Sequence, residues 1–398
     1  MGPNKFGHLS YLLALVAISG PFMALGLNSI VTREIVARPS EANKIVGSGL
    51  VLRFTAGLIT AILGISLASF FLDEGSLKLL MILIISSTFN ASLVVDFWLQ
   101  AKMANRQGAK VRLVILVLFS LAKLTAIKLN ADLSIFIYIA SAEFIVSASL
   151  YAACYHFLSS GLKSLRITIQ EIKQLLLSGR WLLFSGIAAV IYLKVDQIML
   201  GVMLDDAAVG VYSVAARVSE VWYFVPAAIV TSVFPQLILK RSINPLSYAV
   251  DLQKLNDLLF LIALAVVCVI IMSGEWLILL LFGQEYREAG PVLLVHIWAG
   301  IFVFMRCLLS KWLIAENLLK LSLLSQLLGA TVNVGLNIKF IPLYGPIGAA
   351  YATLLSCAVA GYGVLFFHRD LRPMMLVVTK SIMLPYRLIK KGSHIYRI

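Results

Sequence analysis

Long runs without a single charge are the feature that most constrains this chain. Residues 9–32, 54–72, 79–95 and 258–274 contain no Asp, Glu, Lys or Arg. A helix needs about 20 apolar residues to cross the ~30 Å hydrocarbon core of a bilayer. The runs are long enough for transmembrane helices, and they do not alternate as the strands of a membrane barrel do. The sequence therefore predicts an all-α polytopic membrane protein.

Eleven transmembrane helices are predicted. They lie at about 9–31, 50–72, 77–99, 111–129, 133–158, 177–203, 209–238, 255–282, 292–315, 320–341 and 346–368. Hydrophobic residues make up 61% of the chain and charged residues 13%, whereas an average soluble domain is about half apolar and a quarter charged. This composition excludes a soluble enzyme, a disordered chain and a secreted disulfide scaffold. No Cys or His spacing is typical of a metal site, so we expect no metal and no cofactor.

The Lys and Arg residues predict the orientation. Alternate connections, including the tail 369–398, contain 22 of them, and the connections on the other side contain 5. Because short cytoplasmic loops are enriched in Lys and Arg, the first set is predicted to be cytoplasmic, with the C-terminus inside. The net charge of +14 then reflects topology, and we expect no nucleic-acid partner.

Two similar halves are predicted. Residues 7–31 can be laid over 210–234, with Gly7 on Gly210, and 97–105 over 311–319. Both copies run in the same direction, which predicts a parallel repeat about an axis along the membrane normal. We expect an N-terminal lobe of five helices (1–160), an amphipathic cytoplasmic linker (161–176, helical from 163), a C-terminal lobe of six helices (177–368) and a basic cytoplasmic tail (369–398), with an in-plane helix at 374–391.

Several segments resemble one family of membrane proteins. They are RWLLFSGIAAVIYLKVDQIMLG (180–201), VGVYSVAARVSEVWYFVPAAIVTSVFPQL (209–237), LGLNSIVTREI (25–35) and NKIVGSGLVLR (43–53). They are similar to the polysaccharide (O-antigen-type) flippases of the multidrug/oligosaccharidyl-lipid/polysaccharide flippase superfamily. The resemblance covers nearly the whole chain, apparently without the family's first transmembrane helix.

The resemblance implies two lobes of six helices around a cleft with a basic lining. It implies alternating-access translocation of an undecaprenyl-pyrophosphate-linked oligosaccharide across the cytoplasmic (inner) membrane of a bacterium or archaeon, for surface polysaccharide biosynthesis. By analogy, H⁺ or Na⁺ could be the coupling ion, polysaccharide polymerase machinery a partner, and the protein a monomer.

Charged side chains inside the predicted helices are the candidate site residues, because each costs roughly 2.5–3.5 kcal/mol on insertion scales. The predicted substrate-binding residues are Arg53, Lys123, Lys194, Arg217 and Arg306, and the predicted coupling or orienting residues are Glu143, Asp196 and Glu220. Arginine suits pyrophosphate because its planar fork makes paired charge-assisted hydrogen bonds. No motif for covalent chemistry occurs in a loop, so an enzyme is not expected.

Alternatives remain open for these charges. In the predicted hairpin 177–238, Asp196 and Arg217 lie at nearly equal depth, as do Lys194 and Glu220. Either these residues form structural ion pairs, or they line the cleft. Lys123 and Glu143 could neutralise each other, or Lys123 could line the cleft while Glu143 carries a proton. Arg53 could instead extend to the inner interface.

Two other functions also fit part of the sequence. A multidrug cation antiporter of the same superfamily should have an acidic and aromatic pocket, whereas this chain has five intramembrane bases against four acids. A membrane glycan polymerase or ligase is less favoured, because the outer connections are only about five to nine residues long.

Overall fold

The computed structural model describes residues 2–159, 161–316 and 318–387. Fifteen α-helices, joined by turns and short 3-10 segments, make up these ranges, which contain no strand. They are α1 (Pro3–Ala24), α2 (Leu27–Ala37), α3 (Ala42–Ala68), α4 (Glu74–Ser87), α5 (Leu93–Ala101), α6 (Asn105–Lys128), α7 (Leu133–Leu158), α8 (Ile169–Met203), α9 (Asp206–Glu220), α10 (Phe224–Ile243), α11 (Pro245–Phe282), α12 (Ala289–His296), α13 (Ala299–Ala315), α14 (Leu319–Gly361) and α15 (Arg372–Ile382). The predicted all-α architecture is confirmed for this part of the chain.

Nine helical stretches in the described ranges are long and apolar enough to cross a membrane. Nine is two fewer than the eleven predicted spans, for two reasons. The span predicted at 111–129 falls on α6, which is 24 residues long but carries Arg112, Lys123 and Lys128. The spans predicted at 320–341 and 346–368 both fall within the region of α14. The count of eleven therefore stays a prediction.

The α14 helix changes direction at one glycine. Gly345 has φ 59° and ψ −139°, and it lies between Pro342 and Pro346. Both prolines lack the N–H that would continue a helical ladder, and glycine adopts positive φ without steric cost. This break lies where the sequence places the boundary between two spans.

The predicted amphipathic helix over 163–176 is wrong in its first part. A short 3-10 turn occupies Leu162–Ser164, and α8 begins only at Ile169, from which it continues unbroken to Met203. The intervening residues instead pack on the start of α3, where the Arg166 N–H donates to the Asn43 carbonyl oxygen at 3.4 Å. This backbone contact replaces the helical hydrogen bond that the pattern predicts.

Two compact units divide the described chain. The first contains residues 8–198 and the second contains Gly2–Gly7 together with residues from Met199 onward. The predicted second lobe begins earlier, at 177, so most of the predicted helix 177–203 packs with the first unit. Gly26 explains part of this packing, since a Cβ there would lie 2.6 Å from the Gly179 carbonyl oxygen. The lobe boundaries stay a prediction, because a sequence repeat and a packing unit need not coincide.

Within each unit the helices follow the same order, as the predicted repeat requires. An interrupted span (α1 and α2; α9 and α10) is followed by one long helix (α3; α11), a second interrupted span (α4 and α5; α12 and α13) and a final helical pair (α6 and α7; the two parts of α14). Equivalent helices also pack alike: α2 contacts α5 and α10 contacts α13, while α3 contacts α4 and α11 contacts α12.

The start of the tail is a short helix that packs on the second unit. At 11 residues, α15 is too short to cross a bilayer. Its Ser381 hydroxyl donates to the Asp257 carboxylate of α11 at 2.6 Å. Lys390 and Lys391 of the predicted tail lie outside the described residues.

Candidate functional site

Arg53 is buried in the first unit against the helices that follow α3. A glycine on each side of it allows close packing: a Cβ at Gly49 would lie 3.3 Å from the Val94 side chain, and one at Gly57 3.2 Å from Thr88. Arg53 itself is only 4% exposed. Side chains on a helix tilt toward its N-terminus, and the Arg53 guanidinium accordingly lies 5.6 Å from the centre of the Phe97 ring.

The nearest buried acid on the packed helix α5 is already neutralised. Asp96 accepts two hydrogen bonds from one Arg112 nitrogen, at 2.6 and 2.8 Å, and a third from Gln100 at 2.9 Å. This carboxylate is therefore paired with Arg112. In the described ranges, Nε and Nη1 of Arg53 have no hydrogen-bond acceptor. Arg53 is therefore a buried cation whose free donors an anion would satisfy.

Arg217 lies on α9 in the second unit and is exposed. Its guanidinium lies 4.7 Å from the centre of the Phe6 ring. The Glu220 carboxylate, three residues along the same helix, lies close enough to attract it electrostatically. Phe6 contacts Tyr286 edge to face, with ring centres 6.0 Å apart. Sequence reasoning missed this aromatic partner, which precedes Arg217 by more than two hundred residues.

Tyr286 lies in the turn between α11 and α12, where it is 3% exposed. Burial, with the neighbouring Glu285 carboxylate as the second cause, raises the pKa of Tyr286 to about 12. The phenol therefore stays neutral near pH 7. Its ring also contacts Phe282, with ring centres 5.8 Å apart.

Lys123 and Glu143 form an ion pair between α6 and α7. Their Nζ and Oε2 atoms are 2.8 Å apart, and the two side chains are 44% and 35% exposed. Mutual neutralisation of these two residues was one of the two alternatives that the sequence left open. A lysine held by a carboxylate is less available to an anionic ligand than Arg53 or Arg217.

The other predicted residues are divided between the two units. Arg306 on α13 donates from Nη2 to the Ser325 hydroxyl oxygen at 3.4 Å. Lys194 and Asp196 belong to the first unit, Glu220 belongs to the second, and all three make polar interactions. The predicted hairpin ion pairs stay predictions, because their members lie in different units.

A network of uncharged polar side chains is buried in the second unit, and sequence reasoning missed it. Asn337 donates to Asn333 at 3.1 Å, and Asn333 donates to the Ser356 hydroxyl at 3.4 Å. The hydroxyl groups of Thr353 and Tyr212 are 3.0 Å apart. A search restricted to charges cannot find these residues, although Asn333 and Asn337 share a helix face at i,i+4. Their oxygens are of the kind that hard cations prefer.

Metal ligands of the usual acidic, His or Cys type do not cluster in the described ranges, which contain no group of three such residues. The features that stand out are instead two arginines: Arg53, which is buried and has no ion pair in the described part of its unit, and Arg217, which is exposed and contacts an aromatic ring. Both are residue types suited to phosphate recognition.

Comparison with known proteins agrees with this architecture. A curated relative, the probable flippase AglR of Haloferax volcanii, is 31% identical over 170 residues, which are 42% of this chain and 35% of the relative. The alignment thus spans about a third of that relative's length.

Two solved structures share the fold. One is an inward-facing multidrug resistance MATE family transporter of the MOP superfamily (TM-score 0.74, 14% identity, 95% of this chain and 92% of that one). The other is the lipid II flippase MurJ in an inward closed conformation (TM-score 0.67, 15% identity, 97% and 89%). The profile of the polysaccharide biosynthesis protein family matches residues 1–240. Since this match covers more than half of the chain, the protein belongs to the polysaccharide biosynthesis protein family.

Proposed function

We propose that this protein is a flippase that moves an undecaprenyl-pyrophosphate-linked oligosaccharide across the cytoplasmic membrane by alternating access. The observation that carries the proposal is Arg53, a buried guanidinium with two donors that lack acceptors in the described part of the chain. A buried cation without a counter-ion is costly, and a site that must bind a pyrophosphate gives a reason to retain it. Arg217 adds an exposed guanidinium held against an aromatic ring. The relative AglR is named a probable flippase, which supports the same class of activity.

In this mechanism each of the two arginines contacts pyrophosphate from its own unit while the polyprenyl chain stays in the lipid. Planar guanidinium groups make paired, charge-assisted hydrogen bonds to phosphate oxygens. Lys194 and Arg306 are proposed as further contacts. Asp196 and Glu220 are proposed to orient Lys194 and Arg217. The Lys123–Glu143 pair is proposed to stabilise α6 and α7 or, as the sequence left open, to contribute a cleft cation and a coupling carboxylate.

The driving force is proposed to be a flow of H⁺ or Na⁺. The amide and hydroxyl oxygens of Asn333, Asn337 and Thr353 would suit a small hard cation. The protein is proposed to act as a monomeric transporter without covalent chemistry, with its C-terminus in the cytoplasm and polysaccharide polymerase machinery as a partner. A reporter fused after Ile398 tests the orientation.

The experiment is flipping of a fluorescent undecaprenyl pyrophosphate in proteoliposomes, read by the fraction that a membrane-impermeant quencher reaches. We expect Arg53→Met and Arg217→Met to reduce flipping at least tenfold at equal reconstitution. Arg33→Met is the matched control, because Arg33 is 62% exposed and pairs with the adjacent Glu34. Wild-type flipping by both test variants would refute the proposal. Efflux of a cationic dye, without flipping of the lipid, would identify a multidrug antiporter instead.

A further inference from the structure

The first turn of α1 packs closely against α9, and two glycines of the second unit, Gly7 and Gly210, permit this contact. A Cβ at Gly7 would overlap the carbonyl oxygen of Asp206, and a Cβ at Gly210 would overlap that of Pro3. Only glycine permits backbones to approach this closely. The backbone around Phe6 is therefore held in one place relative to α9.

This close approach brings Phe6 to Arg217. The ring centre is 4.7 Å from the guanidinium carbon, well within the range of a cation–π contact. Tyr286 supports the ring from the side, with an interplanar angle of 89°. Because Tyr286 is itself buried against Phe282, the aromatic group has little freedom to move.

An aromatic ring and a carboxylate differ in which hydrogen-bond donors of an arginine they leave available. A carboxylate neutralises the guanidinium and occupies the N–H donors at its edge. A ring contacts the flat face and leaves the in-plane donors available to another acceptor. Arg217 is exposed, so those donors can meet a ligand.

We propose that Phe6 is a positioning residue that orients the Arg217 guanidinium so that its in-plane donors bind the pyrophosphate of the substrate, with Tyr286 holding Phe6 in register. The inference rests on the proposed function, because it takes Arg217 as a substrate contact. It assigns to the start of α1 a role in substrate affinity that neither charge nor hydropathy suggests.

The test is a double-mutant cycle in the full-length protein, with affinity for fluorescent undecaprenyl pyrophosphate as the readout. Phe6→Leu removes the ring and is expected to weaken binding about threefold to tenfold, the range of an ordinary cation–π contact. Phe6→Tyr keeps the ring and should bind like the wild type. In an Arg217→Met background, Phe6→Leu should cause no further loss, since its effect acts through Arg217.

An equal loss in both backgrounds, or no loss from Phe6→Leu, would overturn the positioning role. If Phe6→Leu does not fold, Tyr286→Leu replaces it in the cycle, with Tyr286→Phe as its control. Wild-type affinity in Arg217→Met alone would instead remove the substrate contact on which the proposed function depends, so the two failures are distinguishable.

Discussion

Replacing Arg53 with methionine should stabilise the fold while it reduces lipid flipping at least tenfold. Arg53 is 4% exposed, and two of its guanidinium nitrogens lack acceptors. Each unsatisfied buried donor costs about 1–3 kcal/mol, and the contact with Phe97 returns about 0.5–2 kcal/mol. A methionine of similar length retains most of the packing without the charge. The two donors together cost about 2–6 kcal/mol, and the lost contact with Phe97 offsets part of this. We therefore expect Arg53→Met to raise the free energy of unfolding by about 1–4 kcal/mol.

Arg112→Met is the matched control, because Arg112 is also an arginine but forms an ion pair with Asp96. The Arg112 side chain is 52% exposed, whereas that of Asp96 is 8% exposed. Removing Arg112 leaves a nearly buried carboxylate without its cation. Because solvent screens part of this pair, we expect a loss of about 1–3 kcal/mol, in the direction opposite to Arg53→Met.

The assay is a thermal melt in detergent, followed by a thiol-reactive dye. It suits this chain because Cys357 is buried and Cys154 and Cys307 are partly buried. Flipping of fluorescent undecaprenyl pyrophosphate is measured on the same preparations. An Arg53→Met protein that melts lower than the wild type and still flips lipid would refute the reasoning, since Arg53 would then be a structural residue.

Three further predictions concern stability. Glu171→Ala should cost about 3 kcal/mol, because Glu171 is 1% exposed and accepts from Arg38 at 2.8 Å; a melt that does not change would contradict this. Asp73→Ala should cost about 1 kcal/mol by removing the cap of α4. Hydrogen bonds from Ser76 lower the Asp73 pKa, so this difference should persist above the ordinary Asp pKa of about 3.9 and disappear as the pH falls through the lowered value. Lys123→Glu and Glu143→Lys should each lower the melting temperature, and the double variant should melt like the wild type, because the ion pair is restored with its charges exchanged. Recovered stability without recovered flipping would show that the pair has a role in transport besides its role in stability.

Local pattern was sufficient for much of the fold. The predicted helix at 133–158 has the bounds of α7, and the boundary near Pro346 coincides with the turn at Gly345. Both follow from short-range rules: apolar length, proline without a donor and glycine at positive φ. The linker over 163–176 was predicted less well, because a distant backbone contact on α3 competes with its helical periodicity.

The candidate site was predicted only in part. Sequence selected Arg53 and Arg217 because any charge in an apolar helix is costly. It could not distinguish them from Lys123, whose counter-ion lies on another helix. That distinction depends on which side chains meet across helices, and helical periodicity does not specify it.

By itself, then, the sequence determined that the chain is helical and membrane-spanning, since backbone hydrogen bonds must be satisfied within each segment that enters lipid. The sequence also identified the few charged side chains that lie within apolar helices, which are the candidates for a functional site. Only the tertiary structure decided that Arg112 forms an ion pair with Asp96 and that the Phe6 ring contacts the Arg217 guanidinium. Such contacts join residues far apart in sequence, and close helix packing at particular glycines creates them.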